Sequence, residues 1–267
     1  MKLRLLPSAF HRVAPEHDRL PSQPLTSYVI EGAGGAGPLA VDAGSLGLVG
    51  EAEDMGRIRE VVLTHAHIDH VASLPMWVEA LLSLDRAPVR VHASASAIET
   101  LRAHLFNGAL FPDFEAITEA DGRPLMELVQ FPIELEFELA GFTMRAFEVD
   151  HPVATHGMHV DDGEDAVVFA SDSGPTERLW EVVAHAPRVR AVVLETSFPD
   201  HMQAIADGSG HLTPATLASE LRKAPEDILV LVTHLKPAYR TEIVAALSHL
   251  SDERVRVLDP GVEVTFD

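Results

Sequence analysis

The chain has 267 residues, 46% of them hydrophobic and 23% charged, which is enough apolar mass for a sizeable core in one large domain. It has no cysteine, so disulfides and thiolate ligands are excluded. With 20 basic against 41 acidic residues the net charge is −21, a surface that repels extended nucleic acid unless a local basic patch compensates. No run approaches the roughly 18 apolar residues of a membrane span, and Met1 to Pro7 holds no apolar stretch of signal-peptide length. The cytoplasm is therefore the simplest location, and no membrane partner is expected.

In chain order, Leu25–Ile30 and Leu39–Val41 read as strands. The glycine cluster Gly32 to Gly37 joins them as a hairpin-type connection, not as the strand–GxGxxG–helix of a dinucleotide site. The apolar run Val61-Val62-Leu63 leads into Thr64-His65-Ala66-His67-Ile68-Asp69-His70, which places four metal-ligand side chains within six positions. Side chains alternate in an extended stretch, so His65 and His67 can face one ion, while Asp69 and His70 can face a second just past the turn. Imidazole and carboxylate together suit zinc, and manganese or iron accepts the same donors. Helical patterns follow over Met76–Leu84 and over Ala95–Leu105, the latter capped by Ser94.

The segment Phe131 to Phe147 reads as a hairpin, alternating over Glu134–Leu139 and turning at Ala140-Gly141. Later apolar runs also end in residues that can bind metal or move a proton. Phe142–Val149 leads to His151, Val167–Ser171 to Asp172, Ala191–Leu194 to Glu195 and Ile228–Thr233 to His234, while Leu39–Val41 leads to Asp42. Such endings are what a sheet scaffold gives when loops at one edge of its strands carry the chemistry. Helices are expected over Thr176–His185 with Pro175 in the first turn, over Ala215–Lys223 capped by Thr213, and over Glu242–Leu250 capped by Thr241. The sum is an α/β (α+β) chain, two sheets packed together with helices outside, and no linker divides residues 1–267 into separate domains.

The ordered set His65-x-His67-x-Asp69-His70, then His151, Asp172 and His234, resembles the metallo-β-lactamase superfamily. That resemblance implies a four-layer αββα sandwich with two divalent metal ions at one edge, zinc being favoured. His65, His67 and His151 would hold the first ion, Asp69, His70 and His234 the second, and Asp172 would bridge both. Ser73 stands where a glycine is frequent in the family. Glu195-Thr196-Ser197-Phe198, Gly210-His211-Leu212-Thr213-Pro214 and Thr233-His234-Leu235-Lys236-Pro237 are similar to class II cyclic-nucleotide phosphodiesterases. The related tRNA 3′-processing nucleases share the Glu and His-x-Thr pair.

The resemblance implies hydrolysis of 3′,5′-cyclic nucleotides to 5′-monophosphates by a hydroxide that two ions generate and Asp69 and Asp172 position. His211 would be the general acid and Glu195 its carboxylate partner. Asp42 reads as an acid that orients a histidine, not as a ligand. Asn107, Phe106 and Phe111 could contact a base or pack under a loop, and Lys236 could touch a phosphate or be solvated. His156 and His159 follow His151 closely enough to line the site or to be structural. The expected partner is a small cyclic nucleotide, and a homodimer is compatible with this reading. The rivals are a ribonuclease Z-like nuclease, a glyoxalase II-like thioester or lactone hydrolase, and a metal-binding module without turnover. No Lys/Arg-rich arm of the kind a tRNA elbow would need is present.

Overall fold

The structure is a computed structural model that describes residues 1–8, 23–48, 55–84 and 88–266. The first half supplies β1 (Lys2–Leu5), β2 (Tyr28–Glu31), β3 (Leu39–Val41), β4 (Glu60–Val62), β5 (Val89–Ala93) and β6 (Met126–Gln130). The second supplies β7 (Glu136–Leu139), β8 (Phe142–Glu148), β9 (His156–Asp161), β10 (Ala166–Phe169), β11 (Val189–Glu195), β12 (Leu229–Thr233), β13 (Val255–Val257) and β14 (Glu263–Thr265). These strands form two seven-stranded sheets, ordered β14-β1-β2-β3-β4-β5-β6 and β13-β12-β11-β10-β9-β8-β7. Both are mixed: β3 to β6 run parallel in one and β10 to β13 in the other, and the remaining neighbours are antiparallel.

Three apolar clusters show why the sheets stack with helices outside. Leu3, Ile30, Leu39, Val41 and Val62 meet Met144, Val160, Val167, Phe169 and Val193 between the sheets. The alternate residues point outward. Val61 and Val91 pack under Trp77, Leu81 and Leu101 of the helices Leu74–Ser83 and Ala95–His104. Val168, Val192 and Val230 pack under Leu179, Leu217 and Ile243 of the helices Arg178–His185, Pro214–Glu220 and Arg240–His249. A strand covered on both faces reads as an unbroken apolar run, which is how these segments appear in the sequence.

Boundaries differ locally. Strand β2 starts at Tyr28, not Leu25, because Leu25 carries a side-chain-bonded loop in which Ser8 and Gln23 take up its backbone groups. The helix expected from Thr176 starts at Arg178, leaving Pro175 ahead of its first turn. The last helix begins at Arg240, so Thr241 lies inside it and Tyr239 occupies the N-cap. Ser94 and Thr213 do cap their helices. Thr213 accepts from Thr216 N while Thr216 Oγ1 accepts from Thr213 N, a reciprocal box that fixes the chain just after His211. Ala140-Gly141 turns the β7–β8 hairpin as expected, with both residues at positive φ. No helix among the described residues is long and apolar enough to cross a membrane.

Candidate metal centre and acid dyad

The carboxyl ends of the central strands converge on one edge of the sandwich. Strand β3 ends one residue before Asp42, β4 leads through Leu63 and Thr64 to His65, β10 runs on to Asp172, β11 ends in Glu195 and β12 delivers His234. Asp42, Ser171 and His234 hold φ of 61°, 60° and 58°. Left-handed backbone is costly for residues with a Cβ and persists where the surroundings enforce it. Here it turns the chain sharply at the strand ends.

The histidine tract is pinned on both sides. Asp42 N donates to Val62 O, Thr26 N to Asp69 O and Ala43 N to His70 O. Gly44 lies so close that a Cβ there would sit 1.9 Å from Asp69 O, so the loop after β3 tolerates only glycine at this position. Ser73 has its own use: its hydroxyl donates to Ala43 O and accepts from Gly47 N, tying the two loops together.

Two groups of donors result. The ligand atoms of His65, His67, His151 and Asp172 lie within 4.8 Å of one another, and so do those of Asp69, His70, Asp172 and His234. Asp172 belongs to both. The structure thus brings together all seven residues singled out in the sequence.

Most of the imidazoles have one nitrogen spoken for. His70 Nδ1 faces Asp42 Oδ2 at 2.7 Å, His65 Nδ1 faces Thr64 Oγ1 at 3.0 Å and His151 Nδ1 faces Gly210 O at 3.1 Å. Thr64 Oγ1 donates to Asp42, which leaves its oxygen to accept from His65. Each of these rings therefore carries a hydrogen on Nδ1 and turns Nε2 inward. Asp42 orients two residues of the tract, as its place after β3 suggests.

These residues fit a divalent cation. His65 Nε2 and His70 Nε2 are buried without a hydrogen-bond partner. A buried nitrogen without a partner costs free energy, and a cation is a partner that several such nitrogens can share. Burial pushes His65 well below its ordinary pKa and lowers His67 and His151 too, keeping them neutral as ligands must be. Burial opposes charge on His70 as well, but Asp172 and Asp42 outweigh it and raise that group. The carboxylates that hold a proton there are the charges a cation would use instead. Burial likewise opposes ionisation of Asp172 and Asp69, and the surrounding imidazoles reverse the sign and hold both acids ionised.

Beside the second group stands a dyad. His211 Nδ1 lies 2.6 Å from Glu195 Oε1, and both side chains are buried. Burial disfavours the imidazolium, but the hydrogen bond and charge of Glu195 outweigh it, so the pKa of His211 is raised. Its ring stacks on His234 at 5.6 Å and meets Phe198 edge-on at 5.7 Å. Gly210, at φ 64°, ends the preceding helix, and a Cβ there would meet Pro152 at 2.9 Å; the missing side chain lets the His151 loop approach.

Lys236 Nζ lies 3.6 Å from Asp69 Oδ2 at the mouth of the site. Asn107 uses its amide locally, donating to Ala103 O and accepting from Ala109 N and Leu110 N, and Phe111 packs against Phe106 and Phe114. Among the described residues no hydrogen bond or ring contact joins either to the cluster. His156 and His159 are buried on β9, where His156 N donates to Thr64 O; His11 and His17 lie outside the described residues. Ser197 carries no role in the sequence reading, yet its hydroxyl meets the dyad and His234 at once. Its only local mark in the sequence is its place two residues after Glu195, just past the end of β11.

The family profile described as a beta-lactamase superfamily domain matches residues 46–235, and the chain belongs to that family. A relative from Yersinia pestis, named a probable 3′,5′-cyclic-nucleotide phosphodiesterase, is 24% identical over 208 residues, 68% of this chain and 58% of that protein's length. A ribonuclease Z from Mycobacterium sp. (strain KMS) is 26% identical over 197 residues, 66% of each chain. Unliganded yeast PDE1 superposes with a TM-score of 0.78 at 16% identity over 99% of both chains, which shows the shared fold. The fold is thus that of a metallo-β-lactamase-type hydrolase.

Proposed function

We propose that this protein is a dinuclear-metal phosphodiesterase that opens 3′,5′-cyclic nucleotides to 5′-monophosphates. The observation that carries the reading is the Glu195–His211 pair, 2.6 Å apart, set against two groups of histidine and aspartate donors. His65, His67, His151 and Asp172 would hold one ion, and Asp69, His70, His234 and Asp172 the other, zinc being the favoured metal. Bound there, the ions would supply Lewis acidity that polarises phosphoryl oxygens and acidifies water.

The chain's own residues supply the rest. Cleavage of the P–O3′ bond leaves a strongly basic alkoxide, which departs far more readily when it takes up a proton. His211 would hold one on the nitrogen that Glu195 leaves free, and the hydrogen bond and charge of Glu195, which raise its pKa against burial, favour that protonated form. Lys236 would meet the phosphate, and Asp69 would position the attacking water. Asn107 and Phe111 remain the proposed contacts to the base, from a loop that their own amide and ring hold in shape.

Relatives named for both activities leave a nuclease acting on tRNA 3′ ends as the second reading. A net charge of −21 favours a substrate with few phosphates over a polyanion. Zinc- or manganese-loaded protein assayed on cyclic AMP, cyclic GMP, bis(p-nitrophenyl) phosphate and pre-tRNA is expected to give its highest kcat/KM on a cyclic nucleotide. A preference for pre-tRNA would overturn the assignment in favour of the nuclease.

A further inference from the structure

We infer that Ser197 is a positioning residue whose single hydroxyl ties the metal-binding His234 to the Glu195–His211 pair and sets the protonation pattern of both. The inference rests on the roles proposed above for His234 and His211. Ser197 is fully buried, so no solvent competes for its oxygen. Around that Oγ lie Glu195 Oε2 at 2.8 Å, His234 Nδ1 at 2.9 Å, His234 O at 3.1 Å and His211 Nδ1 at 3.3 Å.

A hydroxyl has one proton to give, and a carboxylate at the shortest distance is the strongest acceptor among these four. With its one proton directed at Glu195 Oε2, or at the carbonyl oxygen of His234, the serine oxygen can only accept from the two ring nitrogens. His234 Nδ1 must then carry a hydrogen, which makes Nε2 the nitrogen able to offer a lone pair to a cation. That nitrogen lies 3.2 Å from Asp69 Oδ2 and 3.4 Å from Asp172 Oδ2, on the side where a cation would sit. The same donation fixes the carboxylate of Glu195: Oε2 is taken by Ser197, and Oε1 receives His211 Nδ1 and Leu212 N.

Ser197 thus stands to His234 as Asp42 stands to His70 and Thr64 to His65, with the addition that it is shared with the proton donor. The arrangement makes ion binding and proton donation depend on one atom. Removing it would free His234 to populate the other tautomer and leave Glu195 Oε2 without a partner.

The test uses full-length protein labelled with 15N, read by two-bond 1H–15N spectra of the histidine rings and by zinc titration. In wild type His234 is expected as the Nδ1–H tautomer. In Ser197→Ala that signature should become a mixture, and zinc affinity at the donor group that contains His234 should fall about 10- to 100-fold, while His65, held by Thr64, keeps its tautomer. Ser197→Thr retains the hydroxyl and should restore both readouts. Ser197→Cys, close in volume and a poor acceptor, should behave like alanine and replaces it if alanine does not fold. A His234 tautomer and zinc affinity unchanged in both the alanine and cysteine variants would overturn the inference. Neither readout involves turnover, so a wrong substrate assignment would leave this test intact.

Discussion

Asp172→Asn is expected to lose ion binding at both donor groups and to lower kcat/KM by about 10³-fold or more, equivalent to roughly 4 kcal/mol of transition-state stabilisation. The reason is the position of a single oxygen. Asp172 Oδ2 lies 3.9 Å from His65 Nε2, 3.4 Å from His70 Nε2 and 3.4 Å from His234 Nε2, so it faces nitrogens of both groups. The amide keeps the volume but removes the charge that would offset two cations and that now faces the imidazoles around it. Loss of binding should also be visible without substrate. A ligand at a hundred times its dissociation constant stabilises the folded state by about 2.7 kcal/mol, so chelator should lower the Tm of wild type clearly. The variant should melt at one temperature with or without chelator. Elemental analysis beside the melts checks this, and a full ion complement in Asp172→Asn would remove Asp172 from the proposed ligand set.

His211→Ala should leave the ion content unchanged and slow cyclic-nucleotide hydrolysis by about 10²- to 10⁴-fold, the usual range for a positioned acid. The same variant should act on bis(p-nitrophenyl) phosphate almost as fast as wild type, because p-nitrophenolate leaves without a proton. The contrast between the two substrates separates an acid from a ligand: a ligand would lose ions and both activities together. The pH dependence has a definite sign. His211 is raised above its ordinary value, and the protonated form is the competent one, so the rate is retained below that pKa and falls as pH rises through it. In Glu195→Gln burial still disfavours the imidazolium while the opposing charge is gone, so this basic limb should move to lower pH. A limb that stays in place would detach Glu195 from the acid.

Much of this site is legible in the chain because strand-end chemistry leaves local marks. The tract His65 to His70 follows a buried strand, and the partners His151, Asp172 and His234 each follow an apolar run; the structure gathers these ends at one edge. The layers are legible for a similar reason, since Val61-Val62, Val167-Val168 and Val192-Val193 bury both faces of their strands. The polar supports are harder to see. Ser197 and Thr64 matter through hydroxyl geometry, and a serine or threonine at a strand end looks the same whether or not a histidine leans on it. Strand β9 was hidden because His156, Gly157, His159 and Asp161 break the apolar run of a strand whose residues are all buried. Asn107 and Phe111 show the reverse difficulty: an amide and a ring in a loop read equally as base contacts or as local packing, and here the amide closes its turn while the ring joins a small aromatic cluster.

The central claim is that two cations sit between these seven side chains. Anomalous diffraction at the zinc edge, from crystals grown with zinc and no chelator, tests it most directly. Two peaks are expected, one bounded by His65, His67, His151 and Asp172 and the other by Asp69, His70, Asp172 and His234. A single peak, or none, at saturating zinc with these side chains in place would contradict the account.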